Sequence, residues 1–440
     1  MQKDLTVGSV KKHYFKYLVA AFGSAMIGCI YAAVDAAVVG HYAGPIGAST
    51  LAVVLPIWTI IYSLGLLIGI GGSVCYSFYK GKGEKQTANA YFTLSIILAV
   101  ISSIICLVMV VFFDDPLLRL FGADNTILPL AKEYLLPIKF VIPAYLFTEV
   151  IAAFLRNDNA PALATKAVIL GGIFNVGGDF LLVFMFDLGF FGAGLATALG
   201  MSFSQLIMLT HFLSSKNTLC FVRFKNLLSK LKDIFVSGFS SFITDMAMGV
   251  VAILFNRQIL KSLGSDPHSV FGVLTQISVL VQCSTYGAGQ AAQPILSVNF
   301  GARQYKRVRE TNKYGLITVI IFGVFWTAVM LLFPNFMLKL YMKPTDSVLE
   351  IAPEIIRIYG ISYLFLPLNI YSSYYFQSVM RPKTALAVSL LRGLILCSIL
   401  VYLMPMFFGK TSIWCVMLVT ELIVTIYAIV NIKKSNKLVQ

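Results

Sequence analysis

Six ionisable side chains sit deep in stretches that are otherwise apolar: the acids Asp35, Glu149, Asp179, Asp245 and Glu421, and the base Arg392. A charge at the centre of a hydrocarbon layer is costly, so each is a candidate for chemistry that requires it there. At ~1.5 Å per residue, Asp35 lies roughly 8 Å and Asp179 roughly 10 Å below the outer ends of their segments. Asn175 precedes Asp179 by four residues, which places both on one helix face. Thr197 reaches a similar level on the next segment. The set Asp35, Asn175, Asp179 and Thr197 has three physical readings. Two carboxylates sharing a desolvated pocket do not both ionise cheaply, so one can carry a proton. The same carboxylate, amide and hydroxyl oxygens are hard ligands suited to Na⁺. The third reading is a hydrogen-bonded cluster that fixes helix packing. Asp245, Glu149 and Glu421 read either as anions facing a substrate cavity or as polar packing groups. Arg392 reads as structural, snorkelling or pairing with an acid. Tyr371, Tyr374 and Tyr375, with Gln377, mark one segment as a candidate cavity wall. Such a wall suits flat lipophilic cations through apolar contact and cation–π attraction. Ordinary interfacial or lipid-facing placement is the alternative for each ring.

The elements that must position these groups follow from composition. Of 440 residues, 58% are hydrophobic and 12% charged, and the mean hydropathy is +0.84. A soluble domain carries about 25% charged residues, so a soluble enzyme, a disordered chain and a disulfide scaffold are excluded. A β-barrel needs alternating strands of about ten residues, whereas the apolar blocks here are about twice that long. The expectation is an all-α polytopic membrane protein with twelve transmembrane helices, near 15–40, 52–79, 90–113, 134–156, 163–186, 191–214, 234–262, 269–297, 314–333, 355–379, 384–407 and 412–432. No cleavable signal peptide is expected, because the first apolar run is too long and lacks a cleavage site. The seven cysteines contain no CxxC pair and indicate neither a disulfide framework nor a metal site.

The net charge of +15 would suggest nucleic acid in a soluble chain; here it reads as basic loops beside an anionic leaflet. With the N-terminus inside, 24 of the 34 Lys and Arg fall on the cytoplasmic side. Both termini are therefore expected in the cytoplasm. The polar stretch 214–233 divides six helices from six, giving an N-terminal lobe (1–214), a linker (215–233) and a C-terminal lobe (234–440). The halves match at an offset of about 220 residues. Ser77–Gly81 falls on Ser297–Gly301, Phe113 and Leu118–Phe121 on Phe333 and Leu338–Tyr341, and Phe154…Pro161 near Phe376…Pro382. Six helices per repeat make the repeats parallel, and two bundles that rock about a central cavity form a secondary transporter. No GxxxxGK[ST] loop is present, so the energy is expected from an ion gradient. The histidines, His13, His41, His211 and His268, form no cluster, and no enzyme activity is expected.

With these residues in view, the chain resembles the multidrug and toxic compound extrusion (MATE) family, nearest its MepA-like branch. The resemblance rests on Val34–Gly40, Phe154…Asp158…Pro161, Asn175-Val-Gly-Gly-Asp179, Gly192…Thr197, Gly238…Asp245, Pro294…Ala302 and Phe376-Gln377-Ser378. It covers nearly the whole chain. It implies two six-helix lobes around a V-shaped cavity and antiport of drugs or organic cations against H⁺ or Na⁺. It also implies that Asp35, Asn175, Asp179 and Thr197 form the family's N-lobe cation site. The acid at position 245 is Asp where the family often has Glu. The tenth helix has no acid, so the acid pair of the NorM-like branch is incomplete. The resulting expectation is an inner-membrane multidrug efflux antiporter. It needs no cofactor, binds no nucleic acid and acts as a monomer in the lipid bilayer on small organic cations. A lipid-linked-oligosaccharide flippase of the same superfamily is the rival reading. It calls for a cationic cavity, whereas the buried charges here are mostly acidic.

Overall fold

A hydrocarbon layer offers backbone N–H and C=O groups no water, so a chain this apolar must satisfy them within its own segments. The computed structural model, which describes residues 5–438, accordingly consists of helices joined by turns, with one longer irregular stretch over 214–226. They are α1 (Val10–Gly44), α2 (Ile46–Gly81), α3 (Lys85–Phe112), the short α4 (Asp114–Leu120), α5 (Ile127–Lys139), α6 (Ile142–Asn157), α7 (Pro161–Met185), α8 (Gly189–Leu213), α9 (Leu227–Ser262), α10 (Ser265–Gly301), α11 (Tyr305–Leu332), the short α12 (Pro334–Tyr341), α13 (Asp346–Ser378), α14 (Pro382–Phe408) and α15 (Lys410–Ser435). Eleven of these are individually long and apolar enough to cross a bilayer. The pair α5 and α6, bent by 58°, makes a twelfth when the two are taken as one broken span. Eleven of the expected spans have a single helix as counterpart, and 134–156 falls on the bent pair.

That bent span departs from the straight helix expected over 134–156. Pro137 lies inside α5 and Pro143 in the first turn of α6. Neither proline can donate a backbone hydrogen bond, and each ring crowds the preceding turn, so the axis breaks between them. The break between α1 and α2 has a different cause. Gly44 takes φ 61° and ψ −140°, a conformation that a side chain would oppose.

Two compact units make up the described chain. One holds residues 5–8 and Val19–Gly238, and the other Ser9–Leu18 and residues 239–438. Both are built on one plan. α4 and α12 occupy corresponding places, 220 residues apart at their starts. Gly83 and Arg303 both take positive φ just after a long helix, as do Asn159 and Met380 two residues before a helix-starting proline. α7 and α14 each contain a π-helical turn, at Phe180–Met185 and Leu391–Ile395. Outward-facing side chains such as Phe112, Phe140, Met185, Leu206, Ile253 and Phe408 are heavily exposed. Such a surface would aggregate in water and is the normal solvent contact of a protein in lipid.

The polar stretch after α8 belongs to the first unit, and Asp158 is its anchor. This carboxylate accepts from Lys80 Nζ at 2.7 Å, Tyr76 Oη at 3.2 Å, His211 Nε2 at 2.9 Å and the Thr218 backbone N–H at 2.9 Å, and from the Thr218 hydroxyl. Burial opposes its ionisation, but the hydrogen bond from His211 and the charge and hydrogen bond of Lys80 outweigh it, holding its pKa at about 2. Further along, the backbone N–H groups of Cys220 and Val222 donate to Asn89 Oδ1 and Thr93 Oγ1, both at 3.0 Å. Within the same unit α2 meets α9 backbone to backbone. Gly71 lies against the Ile234 carbonyl and Gly238 against the Leu67 carbonyl, closer than a Cβ would allow.

Candidate functional site

The first unit brings α1, α5, α7 and α8 together through small residues. Gly194 of α8 lies against the Tyr134 carbonyl of α5, where a Cβ has no room. Gly200 lies against Asn175, whose Cβ would be 2.8 Å from an added methyl, and Gly178 packs on Ala196 at 3.0 Å. Close backbone approach of this kind lets short polar side chains on three helices meet.

The meeting point is the predicted set. Tyr134 Oη donates to Asp35 Oδ2 at 2.9 Å, and the Asn175 amide donates to Thr197 Oγ1 at 3.3 Å. Thr197 lies beside the Tyr134 hydroxyl, and Asp179 interacts electrostatically with both Asp35 and Tyr134. Asn175, Asp179, Thr197 and Tyr134 are all buried. Four buried oxygens of this cluster accept no hydrogen bond among the described residues: Asp35 Oδ1, Asn175 Oδ1 and both oxygens of Asp179. Orphaned acceptors in a buried place are expensive unless something electropositive meets them. The donor chemistry fits: carboxylate, amide and hydroxyl oxygens suit a proton or a hard monovalent cation. The π-helical turn begins directly after Asp179, and such turns recur at functional sites.

Tyr134 is the member that reading the sequence missed. A tyrosine at the edge of an expected span is an ordinary interfacial residue. The α5 backbone packs closely on α8 at Gly194, and the Tyr134 hydroxyl reaches Asp35.

The other predicted residues fall elsewhere. Glu149 lies in α6, where its Cβ meets the backbone of α2 at Gly65. Asp245 is half-buried in α9 and interacts electrostatically with Tyr286. The residues expected to form a cavity wall on α13 are instead seated inside the second unit. Tyr371 is buried and donates to Asn312 Oδ1 at 3.2 Å. Tyr374 packs on Gly289 and edge-on to Tyr286. Tyr375 reaches Ser435 Oγ at 3.4 Å. The Gln377 amide donates to Ser240 and Ser241 at 2.6 and 2.8 Å. A helix that carries this many hydroxyl and amide groups in lipid must bury them against partners, and α13 does so. Glu421 is likewise not presented to a cavity. It is fully buried, accepts Arg392 Nε at 2.6 Å on Oε1 and accepts the Asn369 amide at 2.6 Å on Oε2. Arg392 thus pairs with an acid, as one of its two structural readings anticipated.

Comparison with known proteins agrees with this architecture. The MatE family model matches twice, over residues 20–181 and 241–403, one match per half. The multidrug export protein MepA of Staphylococcus saprophyticus is 22% identical over 432 residues, covering 96% of this chain and 93% of the relative. MepA of Staphylococcus aureus strain MSSA476 is 24% identical, covering 85% of this chain and 82% of the relative. Among solved structures, an outward-facing multidrug resistance MATE family transporter of the MOP superfamily superposes with TM-score 0.90 at 19% identity, over 99% of this chain and 98% of the other. A MATE transporter in the straight conformation gives the same TM-score, identity and coverage. A doubled family match, membrane-spanning halves on one plan and a shared fold place this chain in the MatE (multidrug and toxic compound extrusion) family of membrane transporters.

Proposed function

We propose that this chain is a secondary active multidrug efflux antiporter that exports lipophilic or cationic compounds in exchange for H⁺ or Na⁺. The observation that carries this reading is the buried cluster with four unpaired oxygens. Asp35 and Asp179 supply the charge, Asn175 and Thr197 the neutral oxygens, and Tyr134 holds Asp35 in place. Entry of the coupling ion neutralises a pocket that is otherwise costly to bury. The ion drives a conformational change to the extent that it binds one state better than another. The likeness to MepA export proteins over most of the chain supports multidrug substrates. In this reading the lobes 1–214 and 234–440, joined by 215–233, alternate access as a monomer in the cytoplasmic membrane, with both termini inside. Asp245 and Glu149 face the substrate path.

Ethidium efflux from a drug-sensitive host tests this directly. At matched expression the wild type exports, and Asp35→Asn and Asp179→Asn lose export. Proteoliposomes with imposed H⁺ or Na⁺ gradients then choose the ion. Variants that export as well as wild type would remove the cluster from the coupling mechanism.

A further inference from the structure

The second unit holds a half-open cavity of about 60 Å³ between α9, α10, α13, α14 and α15. Its wall is mostly apolar, with Met248, Val251 and Phe271 among the lining residues, and no carboxylate lines it. Three of the lining hydroxyls are already committed: Thr244 donates to the Ser240 carbonyl at 2.8 Å, Thr275 to the Gly272 carbonyl at 2.6 Å and Ser278 to the Leu274 carbonyl at 2.8 Å, while the Tyr359 hydroxyl lies beside Ser278. Two lining side chains carry N–H groups that meet no acceptor among the described residues. Arg392, 7% exposed, makes one hydrogen bond among the described residues, from Nε to Glu421, which leaves both terminal nitrogens of its guanidinium uncommitted. Gln282, 4% exposed, accepts from Tyr286 Oη at 3.2 Å on its carbonyl oxygen and makes no bond through its amide nitrogen.

A buried place that offers fixed donors calls for an acceptor. Glu421 balances the charge of Arg392 and is itself satisfied by Asn369, so it does not need the free edge of the guanidinium. A planar guanidinium edge meets a carboxylate through two parallel N–H···O bonds. The Gln282 amide supplies a third donor. The volume admits a group the size of formate or acetate. We propose that Arg392 and Gln282 form a carboxylate-binding site inside the C-terminal unit, separate from the acidic cluster of the first unit. Its ligand is either a free short carboxylate or the carboxylate end of a longer amphiphile, and binding there does not depend on the coupling reading.

The test uses the purified full-length protein in detergent at constant ionic strength. Sodium gluconate, whose hydroxylated tail is not accommodated by the apolar wall, is replaced stepwise by sodium formate, acetate or hexanoate, and the unfolding midpoint is followed by tryptophan fluorescence. A ligand that binds only the folded state raises the midpoint along a saturating curve. Gln282→Glu keeps the oxygen that Tyr286 uses and exchanges the amide donor for an acceptor. Gln282→Leu removes the donor without adding charge. Each is expected to raise the half-saturating concentration at least about tenfold, and Arg392→Lys, which keeps the charge and loses the fork, is expected to do the same. Saturation by formate and acetate alone identifies a free small anion, and tighter saturation by hexanoate identifies an amphiphile. Midpoints that drift linearly with concentration, or that respond identically in wild type and both Gln282 variants, would overturn the proposal and leave a cavity filled by water.

Discussion

Tyr134→Phe isolates one hydrogen bond at the centre of the acidic cluster. The ring is buried against α8 and keeps its packing in the variant. The hydroxyl, 2.9 Å from Asp35 Oδ2, is all that is lost. A hydrogen bond to a charged group contributes about 1.5–3 kcal/mol. Its loss falls on the ion-free state of the proposed site, in which Asp35 Oδ1 already has no partner. Destabilising the empty site strengthens ion capture by the same amount. The half-saturating concentration of the coupling ion therefore falls by about ten- to a hundredfold, at about 1.4 kcal/mol per decade. Release slows correspondingly, so maximal efflux drops while ion affinity rises. Proteoliposomes loaded with a fluorescent cation, with initial rates measured against imposed H⁺ or Na⁺ concentration, read both quantities. An ion dependence superimposable on wild type, at equal maximal rate, would refute the assignment of Tyr134. A loss of affinity would refute the sign of the argument.

Three further outcomes follow from the packing. Glu421→Leu leaves Arg392 buried and unpaired, which is expected to cost about 3–5 kcal/mol. The double variant Arg392→Met with Glu421→Leu should recover most of that in thermal unfolding, and equal instability of the two would contradict the pair's role. Asp158 titrates at 3.8 when unfolded and at about 2 in the fold. Its contribution is therefore present in full above pH ~4 and is lost as pH falls toward 2, an effect of about 2 kcal/mol. The gap in unfolding midpoint between wild type and Asp158→Asn should shrink over that window; a constant gap would show that the anchor acts through shape alone. Gly238→Ala directs a methyl at the Leu67 carbonyl, which cannot give way as a flexible side chain would. A loss of about 1–3 kcal/mol is expected, and an unchanged unfolding midpoint would show that α2 and α9 separate freely.

The spans were readable because lipid enforces them: an apolar run of about 20 residues has one folded outcome. The repeat was readable because matched turns recur at one offset, and the paired left-handed residues Asn159 and Met380 show its physical basis. Asp35, Asn175, Asp179 and Thr197 stood out because each is costly where it lies. Tyr134 did not, since a tyrosine near a span edge costs nothing and its role depends on the close approach at Gly194. The bend between α5 and α6 was marked by Pro137 and Pro143, but hydropathy averages over such residues. The aromatic run on α13 is ambiguous in sequence for a related reason. Tyr371, Tyr374 and Tyr375 announce polar tips that need partners, and composition does not distinguish a tip satisfied by Asn312 or Ser435 from one offered to a substrate.

The two units place one scaffold under opposite electrostatics, and this argues for which of them couples to an ion. In the first, a π-helical turn follows Asp179, and both oxygens of that carboxylate are left without donors. In the second, the corresponding helix carries Arg392 within its π-helical turn, and the buried acid Glu421 is fully matched by Arg392 and Asn369. A cation arriving at Glu421 would have to displace a guanidinium at 2.6 Å and strand it in a low-dielectric interior, at a cost of several kcal/mol. A cation arriving between Asp35 and Asp179 displaces no counter-charge and meets oxygens that have no other partner. Differential binding is what moves a conformational equilibrium. On that basis the proposed coupling belongs to the first unit, while the second holds Arg392 and Glu421 as a fixed pair whose remaining donors face a cavity of their own.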